Sequence, residues 1–258
     1  MNYLAGLLVA SFAISAALSH LNQGPGNYWD FVAFAMVIGG TIAISVIIFP
    51  WSLYKVLYSY AKKLFFNWQP NRQVFIRHCL ETFSLHRQGA KIDGLNHNNF
   101  EEKILAEGYE LLNLGIKPDR IEAILSERIA HFEDIGERVA GSVLSLGKYP
   151  PAFGLTGTVL GLVELMRGVS AGMPARETGV KMAIALVATL YGLLVANLFV
   201  IPAGEHIRKI VYTETKLAEM ALQTILMASE DIGLLEAQEM LNSLVFDSER
   251  VNFIGTQS

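Results

Sequence analysis

Three long segments of this chain contain no Asp, Glu, Lys or Arg: residues 1–29, 31–54 and 182–203. Each is longer than the roughly 20 apolar residues with which a helix, at a rise of about 1.5 Å per residue, crosses a bilayer. Only 17% of the 258 residues are charged, against about 25% in ordinary soluble domains. These features predict a polytopic membrane protein and argue against a soluble enzyme.

Composition also argues against several other classes of protein. The formal net charge of −4 provides no basic field for nucleic acid. Cys79 is the only cysteine and cannot form an intrachain disulfide, and the six histidines lack the paired spacing of a metal site. No arrangement of nucleophile, base or metal ligands supports covalent catalysis. We therefore expect neither enzyme activity, nor a cofactor, nor a nucleic-acid partner.

The charge pattern predicts an all-α fold with four transmembrane helices and a helical cytoplasmic domain. The first apolar segment lacks a basic n-region, so it is interpreted as a retained span rather than a signal peptide. The predicted segments are transmembrane helix 1 (1–21), a short periplasmic loop (22–30), helix 2 (31–50), a helical cytoplasmic domain (51–147), helix 3 (148–171), a second periplasmic loop (172–179), helix 4 (180–203) and a cytoplasmic tail (204–258).

Orientation follows from the basic residues. Residues 51–148 contain 13 Lys or Arg and the tail contains four, whereas the loop 22–30 contains none. The positive-inside rule therefore places the domain and the tail in the cytoplasm. Within the domain, we expect an irregular stretch from Gly108 to Gly115 and a helix capped by Asp119. The helix of the third span is expected to run from near Val139 to near Gly172.

Small residues recur on one helix face in both of the last two spans. In the third span they are Gly154, Gly157, Thr158 and Gly161, of which Gly157 and Gly161 form a GxxxG match. In the fourth span they are Ala185, Thr189, Gly192 and Ala196. Such faces permit close helix packing alone. They also permit an ion path, in which threonine hydroxyls supply oxygen atoms to a cation, although a threonine can bond to the carbonyl four residues before it.

The chain resembles the MotA/PomA flagellar stator proteins of the MotA/TolQ/ExbB group. The resemblance is carried by residues 151–162 (PAFGLTGTVLGL), by residues 185–192 (ALVATLYG) with Ala196-Asn197, and by the order of spans, domain and tail. It implies a homopentameric ring around a single-span partner similar to MotB or PomB, whose membrane aspartate carries the ion. Residues 31–50 and 182–203 contain no Asp, Glu, His, Lys or Arg, which fits a carboxylate supplied by another chain.

The resemblance also assigns roles to residues of the spans. Thr158 and Thr189 match positions associated with the choice of ion, and Pro151 and Pro202 match prolines that couple ion passage to movement. The coupling ion is Na⁺ or H⁺: the Gly157-Thr158 pair favours sodium, but Ala188 stands where the sodium-driven branch often has a second threonine. The residues expected to pack against the partner helix are Gly154, Gly157, Gly161, Ala185, Gly192 and Ala196.

Contact with the rotor protein FliG is implied for residues of the cytoplasmic domain. Residues 84–89 (SLHRQG) are similar to the family motif whose arginine meets the rotor, so Arg87 is the matching residue. The family's glutamate is absent, and Asp93 is the acidic residue near its place. Lys91, Glu101 and Glu102 are further candidates, although such a run of charges is typical of a solvated surface.

The predicted function is that of a MotA-like component of the flagellar motor stator, which converts ion-motive force into torque. Two alternatives remain open at the level of sequence. A TolQ/ExbB-like or gliding-motor energiser belongs to the same group, but such proteins have three spans and lack the first hairpin. A purely structural membrane scaffold would use the glycines and threonines for packing alone.

Overall fold

The computed structural model describes residues 2–20, 29–65, 71–90, 92, 99–230 and 232–253. Throughout these ranges the regular structure is helical and no β-strand occurs, which confirms the predicted all-α class. The helices are α1 (Asn2–His20), α2 (Phe31–Ile48), α3 (Trp51–Phe65), α4 (Arg72–Arg87), α5 (Phe100–Asn113), α6 (Pro118–Leu146), α7 (Tyr149–Ser170), α8 (Ala175–Leu194), a π-helical segment (Val195–Val200), α9 (Ile201–Ser229), α10 (Leu234–Asn242) and a 3₁₀ turn (Asp247–Glu249).

Three helical stretches in the described part of the chain are long and apolar enough to cross a membrane. One is Phe31–Ile48, and the other two lie within Pro118–Ser170 and Arg176–Ser229. The predicted first span contributes a shorter apolar helical stretch, Ala5–Ala17. The turn expected at residues 24–27 lies outside the described residues.

The chain divides into two compact units, and the apolar helices belong to the first, which comprises residues 1–67 and 138–207. In this unit α7 packs along α8, and α2 packs against both. Asp30 caps α2, since its carboxylate accepts hydrogen bonds from the amides of Val32 and Ala33 at 2.8 and 3.0 Å. The buried face of α2 is a stripe at four-residue spacing, consisting of Ala33, Val37, Thr41 and Ser45.

The helix of the third span begins later than the sequence indicated. Instead of continuing from near Val139, α6 ends at Leu146 and α7 begins at Tyr149. Two prolines, Pro150 and Pro151, explain the interruption, because in a continuous helix their rings would clash with carbonyl groups four residues earlier. Backbone amides in the first turn of a helix have no carbonyl partner within that helix, so prolines at the start of α7 cost no helical hydrogen bond. The 22 residues of α7 still extend about 33 Å, enough to cross a bilayer.

The second unit comprises residues 68–137 and 208–258 and has its own apolar core. Two expectations about it need correction. Gly108 lies inside α5, where a Cβ atom would overlap the side chain of Ile225, so this glycine permits close packing rather than breaking the helix. The irregular stretch is limited to the turn after α5, where Gly115 has a φ of +73°. Asp119 lies in the first turn of α6, which already begins at Pro118, and is therefore not its N-cap. The largest fully buried side chains in the core include Ile76, Leu80, Phe83, Ile104, Leu105, Tyr109, Ile121, Leu125, Leu217, Ile225 and Leu241.

Candidate functional site

The small residues of the third and fourth spans bring α7 and α8 into direct contact. A Cβ atom built on Gly154 would lie 2.7 Å from the carbonyl oxygen of Ala188 and 3.0 Å from the Cα atom of Thr189. One built on Gly161 would lie 3.2 Å from the Cα atom of Ala185. The built Cβ atom of Gly161 would also lie 2.5 Å from the Cβ atom of Ala185. Real Cβ atoms essentially never come within 3.0 Å of another heavy atom, so these two glycines are required wherever the two helices keep their present distance.

The same contact continues to the start of α7. A Cβ atom on Gly192 would lie 2.5 Å from the carbonyl oxygen of Pro150 and 3.0 Å from the Cα atom of Pro151. Pro151 is therefore part of the closest approach between the two helices. Gly157 faces Ala188, and Ala196 is buried in the π-helical segment. Within a single chain, the small-residue faces thus pack α7 against α8, and docking of a partner helix on them stays a prediction.

Thr158 and Thr189 meet in the middle of this contact. Their hydroxyl oxygens are 2.5 Å apart. Thr158 can donate to the carbonyl of Ala185 at 3.0 Å or to that of Gly154 at 3.2 Å, and Thr189 can donate to the carbonyl of Gly154 at 3.3 Å. Gly154 precedes Thr158 by four residues and Ala185 precedes Thr189 by four. Each threonine therefore contacts, on the opposite helix, the carbonyl that lies four residues before the other threonine and to which that other threonine would ordinarily donate.

The result is a cluster of four oxygen atoms, two from hydroxyl groups and two from carbonyl groups, which we call the threonine cluster. Two hydroxyl groups carry two hydrogens, so the contacts are alternatives among which the hydrogens can redistribute. Every oxygen in the cluster is neutral. It is suited to accept a hydrogen bond or to contact a hard cation, but the compensating negative charge has to come from another group.

Charged groups near the C-terminal end of α7 do not supply that charge directly. Glu164 pairs with Lys181, at a distance of 4.0 Å. Lys181 lies on α8, so this exposed pair joins the two helices rather than one turn of α7. In the described ranges, no group of three or more His, Cys, Asp or Glu side chains is arranged to hold a metal ion.

A groove of about 270 Å³ runs beside the threonine cluster between α2, α7 and α8. Sequence reasoning did not find it, because it depends on the packing of three helices. Tyr191 helps to fix its edge, since its hydroxyl oxygen accepts a hydrogen bond from the backbone amide of Asp30 at 3.1 Å and its ring meets the edge of Phe34. A tyrosine inside an apolar span was the available signal, because a buried phenol needs a polar partner. The groove is lined by Asp30, Val32, Ala33, Met36, Gly157, Leu160, Gly161, Glu164, Lys181, Ala185 and Ala188.

Pro202, the second proline predicted to couple ion passage to movement, lies where the helix of the fourth span changes its form. Residues 195–200 are π-helical, and Pro202 is the second residue of α9 that follows. The amide of Ile201 bonds to the carbonyl of Ala196, five residues back instead of four. This irregularity has no hydropathy signature, so the sequence did not reveal it.

The predicted rotor residues are in the second unit. Arg87 is the last residue of α4 and is exposed, whereas Asp93 and Lys91 lie outside the described residues. Glu101 is not part of a solvated surface: only 3% of it is exposed. Burial raises the pKa of the Cys79 thiol to about 12, to which the charge of Glu101 contributes as a smaller cause. Glu101 is therefore a component of the core, while Glu102 is half-buried.

These features define a helical membrane protein in which two apolar helices are joined by glycine contacts and a shared pair of threonine hydroxyls. The model of the MotA/TolQ/ExbB proton channel family matches residues 96–220 of this chain. A match to a family of channels supports a channel component rather than an enzyme.

Curated relatives agree with this assignment. The chain is 24% identical over 247 residues to the chemotaxis protein PomA of Vibrio alginolyticus, covering 96% of this chain and 92% of that protein. It is 25% identical over 232 residues to motility protein A of Bacillus subtilis, covering 88% and 84% respectively. The match to motility protein A of Escherichia coli is 32% identical over 134 residues, which is 52% of this chain and 45% of that protein.

Solved structures share the fold over almost the whole chain. The MotAB structure from C. jejuni matches with a TM-score of 0.86 at 18% identity, covering 97% of this chain and 98% of that chain. The flagellar MotAB stator complex from Bacillus subtilis matches with a TM-score of 0.81 at 24% identity and the same coverage. The resemblance inferred from residues 151–162 and 185–192 is therefore confirmed, and the comparisons do not favour a TolQ/ExbB-like energiser.

Proposed function

We propose that this chain is the MotA-like component of a flagellar stator. With a single-span partner similar to MotB or PomB, it forms an ion channel and converts ion-motive force into torque on the rotor. The family match and the names of the curated relatives support this function. The observation in the molecule that carries it is the threonine cluster, which places four neutral oxygen atoms between α7 and α8.

The ion needs a negative charge that this part of the chain lacks. Residues 31–54 and 182–203 contain no Asp, Glu, His, Lys or Arg, and their only ionisable side chains are the tyrosines Tyr54 and Tyr191. We propose that the partner's membrane aspartate carries the ion and that the threonine cluster contacts it during transfer. Na⁺ is the ion proposed, because a partly dehydrated cation binds several oxygen atoms at once. Protons are the alternative.

Movement is proposed to follow from a change in the charge on the partner. When the aspartate binds an ion it becomes neutral, and its interaction with the hydroxyl groups of Thr158 and Thr189 changes. The helix contact at Gly192 links this site to Pro151, while the π-helical segment links it to Pro202. Both prolines interrupt regular hydrogen bonding and permit a kink. They are therefore proposed as the positions at which ion passage becomes helix movement.

The proposed assembly is a homopentamer in the bacterial inner membrane, with residues 51–147 and 204–258 in the cytoplasm. The concentration of Lys and Arg in these two segments supports this orientation. Arg87, exposed at the end of α4, is the proposed contact with FliG, together with Asp93.

The experiment measures swimming speed in a strain that lacks this gene, with and without its restoration, across external sodium at fixed pH. Restored speed that rises with sodium supports a sodium-driven stator. Restored speed that is insensitive to sodium but falls when the proton gradient is collapsed supports a proton-driven one. If the gene restores no swimming in a strain that contains no second stator set, the flagellar function is contradicted. Copurification of a partner with a peptidoglycan-binding domain serves as an independent check.

A further inference from the structure

The helix that contains the fourth span has one residue more than a regular α-helix would need between the same two ends. Its residues 195–200 are π-helical, and the amide of Ile201 reaches the carbonyl of Ala196 five residues back. Such single π turns are rare, have poorer hydrogen bonding than an α-helix, and occur frequently at functional sites. We call residues 195–200 the π turn.

Two side chains hold the π turn at this position. Asn197 donates from its side-chain amide to the carbonyl of Leu193 at 2.9 Å, which gives that carbonyl a partner from a side chain. Pro202 has no amide hydrogen, so the carbonyl of Asn197 receives no bond from it in the five-residue pattern. In a regular α-helix the proline ring would clash with the carbonyl of Leu198, four residues back. The local sequence therefore disfavours a straight α-helix here.

Close packing on both sides of the π turn also disfavours a regular α-helix at this position. Before it, Gly192 is fixed against Pro150 and Pro151. After it, a Cβ atom on Gly204 would lie 2.7 Å from the Cγ atom of Leu144, so this glycine is fixed as well. Each residue of an α-helix advances by about 100° around the axis. If the π turn became α-helical with all its residues present, one of the two glycine contacts would rotate away from its partner by about that angle.

We propose that the π turn is a two-state element that converts between π and α geometry. The conversion rotates the end of α8, which carries Thr189 and Gly192, relative to residues 201–204. A rotation, rather than a simple bend, thereby couples the threonine cluster to residues 201–204. This inference rests on the proposed stator function. The swimming experiment below requires that function in full, whereas the hydrogen-exchange experiment requires only that the chain binds its partner and the ion.

Deletion of Phe199 tests the element directly. Phe199 lies within the π turn and is 51% exposed, so its removal takes one residue out of the turn without removing a fully buried side chain. The shortened segment has the length of a regular α-helix and keeps Gly192 and Gly204 on their present faces, but it has no extra residue to release. We expect the deletion variant to be inserted and to bind its partner while rotation is lost. The matched variant Phe199→Ala keeps the chain length and should rotate as the parent does. Rotation by the deletion variant at the parent's speed would overturn the proposal.

A second measurement decides the case in which the deletion variant fails to assemble. Hydrogen exchange at the backbone amides of residues 198–201 and 203 is compared in the intact complex with its partner, with and without the coupling ion. A two-state turn gives exchange in these amides that changes with the ion, because α and π geometry protect them differently. Exchange that is identical in both conditions overturns the proposal. If the parent gene restores no swimming, the proposed stator function is contradicted. The hydrogen-exchange comparison still tests whether the π turn converts between two states.

Discussion

The hydroxyl oxygens of Thr158 and Thr189 lie 2.5 Å apart, and each threonine also contacts the carbonyl four residues before the other. These reciprocal contacts join α7 and α8 by hydrogen bonds that neither helix could make alone. It also places hydroxyl groups, the only side-chain groups of the cluster that can turn to follow a changing charge, between two backbone carbonyls.

Replacing Thr158 with Val should abolish ion-driven rotation without preventing assembly. Valine has nearly the shape of threonine but no hydroxyl group, so the carbonyl of Ala185 loses a donor and the cluster loses an oxygen. The loss of stability should be about 1 kcal/mol. The measurement is swimming speed of the complemented deletion strain, with membrane levels of the protein checked by immunoblot.

Thr156 provides the matched control for this change. It lies on the same helix, is exposed, and donates only to the carbonyl of Ala152 at 2.9 Å. Thr156→Val should swim like the parent, and Thr158→Ser, which keeps the hydroxyl, should retain rotation. Equal defects at Thr156 and Thr158 would show that loss of any hydroxyl in α7 has this effect, contrary to the role of the cluster.

Gly154→Ala should force α7 and α8 apart, because the added Cβ atom would meet backbone atoms of Ala188 and Thr189 that cannot rotate away. Overpacking of this kind costs about 1–3 kcal/mol. A lower midpoint of thermal unfolding in detergent is the expected result. Gly39→Ala is the control, since nothing lies within 4 Å of a Cβ atom there. A midpoint for Gly154→Ala equal to that of Gly39→Ala would contradict the close helix contact.

Gly108 and Ile225 should show energetic coupling in the second unit. A Cβ atom on Gly108 would overlap the Ile225 side chain, so Gly108→Ala should destabilise the protein by about 1–3 kcal/mol. Ile225→Ala should also destabilise it, because the residue is fully buried. In the double variant the new methyl group fills part of the space that Ile225 leaves. Thermal unfolding should therefore show a loss smaller than the sum of the two single losses. Simple additivity would argue against the contact.

The Cys79 thiol should resist alkylation in the folded protein. Burial, with a smaller contribution from Glu101, raises its pKa from 9.0 to about 12, and the thiolate is the reactive form. At pH 8, iodoacetamide should modify the unfolded chain much faster than the folded one. Because the folded pKa is raised, the stabilising contribution is full below pH 9 and is lost as the pH rises through about 12. Cys79→Ser should remove this part of the pH dependence. Equal alkylation of folded and unfolded protein would contradict the burial.

The sequence was sufficient to predict the helical class, the apolar spans and the small-residue faces, because charge and periodicity are local properties. It was not sufficient to predict that Gly154 lies against Thr189, since this depends on how two helices rotate relative to each other. Gly108 shows a different difficulty: glycine both breaks helices and permits close packing, and only the position of Ile225 distinguishes the two. Likewise, the charge of Glu101 suggested a surface position, whereas its place in the core depends on tertiary packing.

Neither interruption of the last two spans was predicted from the sequence. Pro150 and Pro151 have a known effect on helices that explains the start of α7 at Tyr149, but the helix was expected to continue from near Val139. The π turn depends on reconciling the contacts of Gly192 and Gly204, which are separate in sequence and involve different partners. No local pattern encodes that requirement.

The proposed mechanism depends above all on the threonine cluster lying on the path of the coupling ion. The most direct test is uptake of labelled sodium, driven by a membrane potential, into vesicles that contain this chain and its partner, with proton uptake followed in parallel. We predict ion uptake by the parent complex, uptake near the parent level for Thr156→Val, and loss of uptake for Thr158→Val at equal protein content. Undiminished uptake of the same ion by a variant that lacks the hydroxyls of both Thr158 and Thr189 would contradict this mechanism.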